Sequence, residues 1–357
     1  MTEKHYELLK KFALVGDPIS CDRYGFGHIN ETYLVVTDAK RRYIFQKLST
    51  RAFKDVPGLM NNIYLVTSYL KERTEDPYGV MTVIKTVDDE IFLRDGEEYW
   101  RVYDFVEGSV ALQAPRNTQD FYESAIAFGE FQNKLDGFPV EKLVETIPNF
   151  HNTVDRYRIF KETLAKDPCG RAKDVQAEID FVLAHEEEMA TLQNMRESGE
   201  LPTRVTHNDT KLNNVLLRES DYKPLCVIDL DTVMPGSSLY DFGDSIRFGT
   251  NPCAEDEPDL SKVFCQVNLF EEYTKGYLEA CGDSLTAKEK ELLPFGAYLM
   301  TLECGIRFLT DYLDGDTYFK IHYPEQNLNR CHTQFTLAAD IMEKMDTLNA
   351  IVKKYDK

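Results

Sequence analysis

The amino-acid sequence predicts an α+β protein, with a β-rich N-terminal part ending near Phe105 and a mainly helical remainder. Three observations predict it. Before Phe105, short segments alternate apolar and polar residues with a period of two, as half-buried strands do. From Thr118 onward, apolar residues recur every three or four positions, as on amphipathic helices. A chain of 357 residues with 43% apolar content can also fill two or three cores.

The elements follow in order. Tyr24 to Val36 reads as strand, turn and strand, and Arg42 to Leu48 as a third strand. Pro57 to Glu72 carries Leu59, Ile63, Val66 and Leu70 at helical spacing. Val83 to Val87, Ile91 to Leu93 and Tyr99 to Phe105 are further strands, with Arg94-Asp95-Gly96 as a hairpin turn. Phe121, Ala125, Phe128, Phe131 and Leu135 form one helical stripe. Asp174 to Met195, Val263 to Leu278, Ala287 to Tyr312 and Asn327 to Val352 read as long helices. Val215-Leu216-Leu217 and Val227-Ile228 are two short strands that make a hairpin with acidic residues at its mouth. The run His185 to Glu188 is a solvated helix face, and no repeat or low-complexity segment appears.

Composition excludes several classes. A formal net charge of −20 opposes binding to nucleic acid, which needs a basic footprint, and to anionic membrane surfaces. That charge serves solubility, or attraction of a cationic substrate. No apolar run approaches the ~20 residues of a membrane span. Met1 to Lys11 is charged and is not read as a signal peptide. The eight cysteines are scattered without C-x-x-C or zinc-like spacing, so a cytoplasmic chain with reduced thiols is expected.

The chemistry concentrates between Thr206 and Asp231. T-H-N-D-T-K-L-N-N-V-L-L is followed by V-I-D-L-D, which puts Asp209 and Asn214 five apart and Asp229 fifteen further on. D-x-x-x-x-N with a later Asp at a strand end is the catalytic pattern of kinase-like phosphotransferases. Asp209 is the candidate to accept the proton of an attacking hydroxyl. Asn214 and Asp229 offer the hard oxygen ligands that suit Mg²⁺ on ATP phosphates. Asp231 is a further metal contact or a support behind one. His207 and Asp241 read as braces of the loop. Gly25-Phe26-Gly27-His28-Ile29-Asn30 lies between strands, where Gly25 and Gly27 would let backbone N–H groups approach phosphate, and Asn30 tolerates left-handed backbone. Two readings stand for Lys47: the strand cation that meets the α/β-phosphates, or an exposed edge lysine.

H-N-D-x-x-x-x-N, I-D-x-D and the later D-F-G (Asp241 to Gly243) resemble the aminoglycoside phosphotransferase and choline kinase superfamily. Within it, the segments beginning at Gly25, Trp100, Arg204, Asp229, Leu239 and Glu303 are similar to those of bacterial N-acetylhexosamine 1-kinases, over almost the whole chain. The resemblance implies a two-lobed protein-kinase-like fold, with a nucleotide-binding lobe at residues 1–105 and a helical catalytic and sugar-binding lobe at 106–357. It implies ATP-dependent phosphorylation of the anomeric hydroxyl of N-acetylglucosamine or N-acetylgalactosamine. The expected partners are ATP with Mg²⁺ and a free N-acetylhexosamine, with the chain acting as a monomer. Adenine would sit at the hinge, residues 101–106, beside Tyr103 and Phe105. Arg307 and Tyr318 would contact the sugar, together with Asp209. Lys211 would reach the sugar or the transferred phosphoryl, and His28 could lie near the sugar. Arg307 has a competing reading, a helix salt bridge with Glu303 or Asp311. The helix at Pro57 offers Tyr64 where related sugar kinases carry a Glu, which leaves Lys47 without its usual partner. The alternatives are an aminoglycoside, choline or amino-acid kinase on the same scaffold, a protein kinase, which A-P-E would mark, and a nucleotide-sensing pseudokinase.

Overall fold

The computed structural model describes residues 1–25 and 29–356. In chain order, the elements begin with α1 (Glu3–Leu9), β1 (Pro18–Arg23), β2 (Glu31–Thr37), β3 (Arg42–Leu48), α2 (Val56–Lys71), β4 (Val83–Ile84), β5 (Leu93–Asp95), β6 (Glu98–Asp104) and β7 (Ser109–Ala111). They continue with α3 (Thr118–Lys134), α4 (Thr153–Lys166), α5 (Gln176–Ala184), α6 (Glu186–Ser198), β8 (Arg204–Thr206), β9 (Val215–Arg218), β10 (Pro224–Val227) and β11 (Met234–Gly236). The helices α7 (Ser238–Gly249), α8 (Val267–Cys281), α9 (Ala287–Glu291), α10 (Leu293–Leu313), α11 (Gln326–Glu343) and α12 (Met345–Tyr355) complete the chain. The fold is α+β, with antiparallel sheet at the N-terminal end and helices toward the C-terminal end. Contacts divide it into two units: Met1–Ala111 with Gly137–Pro148 and Val215–Pro235, and Leu112–Asp136 with Asn149–Asn214 and Gly236–Lys357.

The first unit is built on an antiparallel sheet ordered β1-β2-β3-β6-β4, with β5 also paired to β6. Side-chain alternation gives the sheet two different faces. On one, Val35, Tyr43, Phe45, Trp100 and Val102 form a core with Leu8, Leu9 and Phe12, and the Phe45 and Trp100 rings stack at 4.5 Å. On the other, the register sets polar Gln46 opposite Arg101 and Ile44 opposite Tyr103. Helix α2 starts at the Asp55 cap, whose carboxylate accepts the Gly58 N–H at 2.9 Å. The strands β9 and β10 form the expected hairpin, and β7 pairs with β9.

In the second unit, Phe121, Ala125, Phe128, Phe131 and Leu135 are all buried on or just beyond α3. Helix α7 lies almost wholly inside the unit, and a Cβ added to Gly243 would run into the Gly296 carbonyl of α10. Two helices can approach that closely only where side chains are missing.

Several expected boundaries move. The first strand is Pro18–Arg23 rather than the start of Tyr24–Val36, because Cys21 supplies the inward-facing partner of Val35. Of Val83 to Val87 only Val83 and Ile84 join the sheet; the Ala13 N–H bonds to the Lys85 carbonyl and the Val87 N–H to the Lys11 carbonyl. Strand β5 begins at Leu93, not Ile91, because the turn residues are Gly96 and Glu97, which sets Asp95 opposite Glu98. The helix expected over Asp174 to Met195 breaks at His185, whose ring Nδ1 bonds to the Phe181 carbonyl at 2.6 Å. Ala287 to Tyr312 breaks at Leu292, two before Pro294, where the proline ring opposes a continuous helix. Asn327 to Val352 breaks at Lys344, where the sequence carries no breaker.

Candidate functional site

In the second unit the motif occupies the loop after β8. Asn208 takes left-handed backbone, φ 64°. It is held there because the peptide N–H groups of His207 and Asn208 both donate to the Asp241 carboxylate, at 2.8 and 2.7 Å. Burial pushes the Asp241 carboxyl up, to about 6, against the pull of His207 and those N–H groups. One turn on, Asp244 accepts the Thr210 N–H at 3.1 Å and is itself paired with Arg247 at 2.9 Å. The His207 ring packs edge-on against Phe128 and Phe131, and its Nδ1 accepts the Asp209 N–H at 3.3 Å.

These ties leave the Asp209 side chain partly exposed with two neighbours. The Lys211 ammonium lies 2.8 Å from Oδ1, and the Asn214 amide nitrogen donates to Oδ2 at 3.1 Å and to the Asp209 carbonyl at 2.8 Å. Burial opposes the Lys211 charge, but Asp209 and Asp244 outweigh it and hold the ammonium above the usual lysine range. With the Asn214 nitrogen on Asp209, the amide oxygen is the atom of this side chain that suits a hard metal.

Arg307, on α10, lies in the same unit. Its guanidinium stands over the Phe150 and Phe319 rings at 5.3 and 5.6 Å, and the Glu303 carboxylate is 3.6 Å away. Glu303 is 1% exposed and is bonded to His151 Nδ1 at 3.0 Å. Burial opposes its charge, yet His151, Arg307 and Arg156 hold the carboxyl below the ordinary glutamate range. Tyr318 is 66% exposed and adjoins Phe319 edge-on at 4.8 Å. Its loop is fixed by Asp311, which accepts the N–H groups of Thr317, Tyr318 and Phe319.

The first unit carries Asp229, in left-handed backbone at φ 60° just past β10, and Asp231 in the turn after it. Asp231 is buried and binds Arg101 of β6 at 2.5 Å and the Asn30 amide nitrogen at 2.6 Å. Arg101 also donates to Gln46 at 2.9 Å. Asn62, buried on α2, donates to the Val233 carbonyl at 3.0 Å and so ties the helix to this segment. Tyr103, beside Arg101, is buried, and burial with Asp231 and Asp229 keeps its phenol well above the usual range despite the guanidinium. Phe105 lies under the Arg42 guanidinium at 4.1 Å, and its N–H is already bonded to the Arg42 carbonyl. Gly25 has φ 74° with open space around it, while Gly27 and His28 fall outside the described residues.

Lys47 lies on the other face of the sheet, opposite Trp100, with its ammonium 2.6 Å from Glu98. The buried cation on the face of Asp231 is instead Arg101. Sequence reading assigned residue 101 only to the hinge, and strand parity was the signal that could have exchanged the two: Lys47 falls in phase with Phe45, and Gln46 in phase with Ile44. His151 and Asp244 were missed as well. Asp244 was legible as the position one helical turn after Asp241; His151 carried no local signal.

Among the described residues, no three His, Cys, Asp or Glu side chains cluster as a metal cage, and no helix is long and apolar enough to cross a membrane. Taken singly, the Asn214 amide oxygen and the Asp229 carboxylate are each hard oxygen donors of the kind Mg²⁺ prefers.

The model of the phosphotransferase enzyme family matches residues 21–275. Similar solved structures include a choline kinase from Cryptosporidium parvum, with TM-score 0.62, 14% identity and 99% of each chain covered. An amicoumacin kinase in complex with AMP-PNP, Ca²⁺ and Ami has TM-score 0.61 and 13% identity, over 99% of this chain and 94% of that one. A microcompartment-associated aminopropanol kinase has TM-score 0.59 and 16% identity, over 97% of this chain and 98% of that one. At such identities the likeness carries the fold alone, whereas the family match spans more than half of the chain: this chain belongs to the phosphotransferase enzyme family.

Proposed function

We propose that this phosphotransferase transfers the γ-phosphoryl group of ATP to the anomeric hydroxyl of a free N-acetylhexosamine, N-acetylglucosamine or N-acetylgalactosamine, giving the sugar 1-phosphate and ADP. The observation that carries the neutral, oxygen-rich acceptor is the charge pattern around Arg307. Its guanidinium stands over two aromatic rings, and its counter-ion Glu303 is shared with His151. A site for choline or an aminoglycoside needs unspent carboxylates or an aromatic cage. A cation flanked by Phe150, Phe319 and exposed Tyr318 suits sugar or acetamide oxygens and the C–H face of a pyranose. The choice of sugar and of its anomeric position rests on the resemblance of the motif segments to N-acetylhexosamine 1-kinases.

In this reading Asp209 orients the anomeric hydroxyl and takes its proton as the oxygen–phosphorus bond forms and the bond to ADP breaks. Lys211, beside Asp209, offsets charge on the acceptor side. Asn214 and Asp229 would hold Mg²⁺, which supplies charge neutralisation on the phosphates. Arg101 fixes Asp231, and through Asn30 the same carboxylate steadies the end of the glycine loop. Tyr103 and Phe105 flank the adenine site, and Gly25, Gly27 and Asn30 cover the phosphates. Lys47 is left out of the nucleotide site in this proposal, because its ammonium is spent on Glu98 on the other face. His28 remains a candidate sugar neighbour. Residues 1–105 form the nucleotide-binding lobe and residues 106–357 the catalytic and sugar-binding lobe, and the chain acts as a monomer in the cytoplasm.

The test is ATP consumption with a panel of free sugars, choline and an aminoglycoside. N-acetylhexosamines should be turned over best. Turnover confined to choline or the aminoglycoside would replace this reading with another kinase of the family.

A further inference from the structure

His151 is absent from every motif in the sequence, yet it joins the two halves of the acceptor-side cluster. Its Nδ1 faces both oxygens of Glu303, at 3.0 and 3.2 Å, and its Nε2 faces the Asn208 carbonyl at 3.4 Å. The ring is fixed between Phe150, edge-on at 4.5 Å, and Tyr240 at 5.3 Å.

Each contact falls on a residue beside a proposed functional side chain: Glu303 by Arg307, and Asn208 before Asp209. Glu303 is the counter-ion of Arg307, but at 3.6 Å that contact is an ion pair without a hydrogen bond's directionality, so the imidazole sets the carboxylate's direction. Asn208 has its N–H fixed by Asp241 and its backbone in the left-handed region, φ 64°. Holding its carbonyl as well fixes the peptide plane that leads into Asp209. A shift there of less than an ångström would misplace the carboxylate, and misplacement on that scale costs rate steeply.

We propose that His151 is a positioning residue with two separable arms: the Nε2 arm, through the Asn208 carbonyl, aims Asp209, and the Nδ1 arm, through Glu303, aims Arg307 at the acceptor. The inference rests on the reading of Asp209 as base and Arg307 as acceptor contact. It adds a residue that touches neither ATP nor acceptor and predicts which kinetic constant each arm controls.

The two arms can be cut one at a time. Asparagine places an amide nitrogen near the position of Nδ1, and glutamine near that of Nε2. In the full chain, His151→Asn, His151→Gln and Asp209→Asn are compared with the parent, with N-acetylglucosamine and MgATP as substrates. AMP-PNP affinity and the melting temperature serve as checks on folding. His151→Asn should lower kcat about tenfold or more with the sugar KM within about twofold of the parent, and His151→Gln should raise that KM about tenfold with kcat within about twofold. A proportional change of both constants in both variants, or parent-like constants in both, would overturn the inference. If neither variant folds, isosteric Glu303→Gln decides: a raised sugar KM with retained kcat supports the Nδ1 arm, and parent-like KM overturns it. Asp209→Asn separates the levels. Near-parent turnover there removes the base assignment itself, whereas an inactive Asp209→Asn without the kcat–KM split removes only the role of His151.

Discussion

Asp209 is the residue on which the chemistry turns, and its surroundings say how strongly. On the proposed reading, Asp209→Asn keeps the backbone ties of the loop but loses the proton acceptor and one of the two side-chain contacts with Lys211 and Asn214. It should lower kcat on the order of 10²–10⁴-fold with ATP affinity little changed, measured by coupled ADP release and by AMP-PNP titration. The loss is smaller if transfer is strongly dissociative, since Asp209 then mainly orients its substrate; parent-like turnover would remove it from the mechanism. Asp241 gives a pH prediction. Its carboxyl is raised to about 6 from an ordinary value of 3.8, so the folded chain holds a proton there that the unfolded chain has lost. The stability from this group is fully present below pH 3.8 and is lost as pH rises through about 6. Asp241→Asn does not titrate. The stability of the parent relative to this variant should therefore fall between pH 4.5 and pH 7.5, by on the order of 1–3 kcal/mol in urea unfolding. A difference that stays constant or grows with pH would contradict the burial argument.

At the scale of elements, what could be read from sequence was whatever periodicity controls. The strand at Arg42–Leu48 and the α2 and α3 helices lie within a residue or two of expectation, because each carries its burial pattern locally. The broken helices were not legible: the interruptions at His185 and Lys344 follow no Gly or Pro, and only Pro294 announced its break. The buried ion pair was half legible: strand parity puts Arg101 on the face opposite Lys47, but its partner carries no signal. Kinase-like sites pair a β3 lysine with a helix glutamate. Here the buried pair joins Arg101 of β6 to Asp231, while α2 presents Asn62 to the backbone of the same segment. Nothing in the spacing of residues 101 and 231 reports that contact. Because both partners are buried, removing one should be costly. Arg101→Met should destabilise the fold by about 3–5 kcal/mol in denaturant unfolding, and Lys47→Met, cut from a partly exposed pair, by about 1 kcal/mol or less. Equal losses would deny that Arg101 is the structural cation. The α7–α10 crossing makes a separate demand: Gly243→Ala forces a methyl group against the Gly296 carbonyl and should cost about 1–3 kcal/mol.

For the whole molecule, the net charge of −20 surrounds a site whose substrates include an anionic nucleotide. Local cations and a divalent metal must therefore offset the general field. Chelation with EDTA should abolish turnover and added Mg²⁺ should restore it. Asn214→Ala and Asp229→Ala should each raise the Mg²⁺ concentration needed for half-maximal rate. Undiminished activity in metal-free buffer would contradict the ligand assignment. The family and the kinase-like fold narrow the reaction to phosphoryl transfer, and the remaining claim is which hydroxyl accepts it. That claim is tested most directly by the product formed from N-acetylglucosamine and ATP, read by phosphorus NMR with a reducing-end assay. The account predicts an acid-labile 1-phosphate with no reducing end, and no reaction of the 1-O-methyl glycoside. A product that keeps its reducing end, or a methyl glycoside phosphorylated as fast as the free sugar, would contradict it.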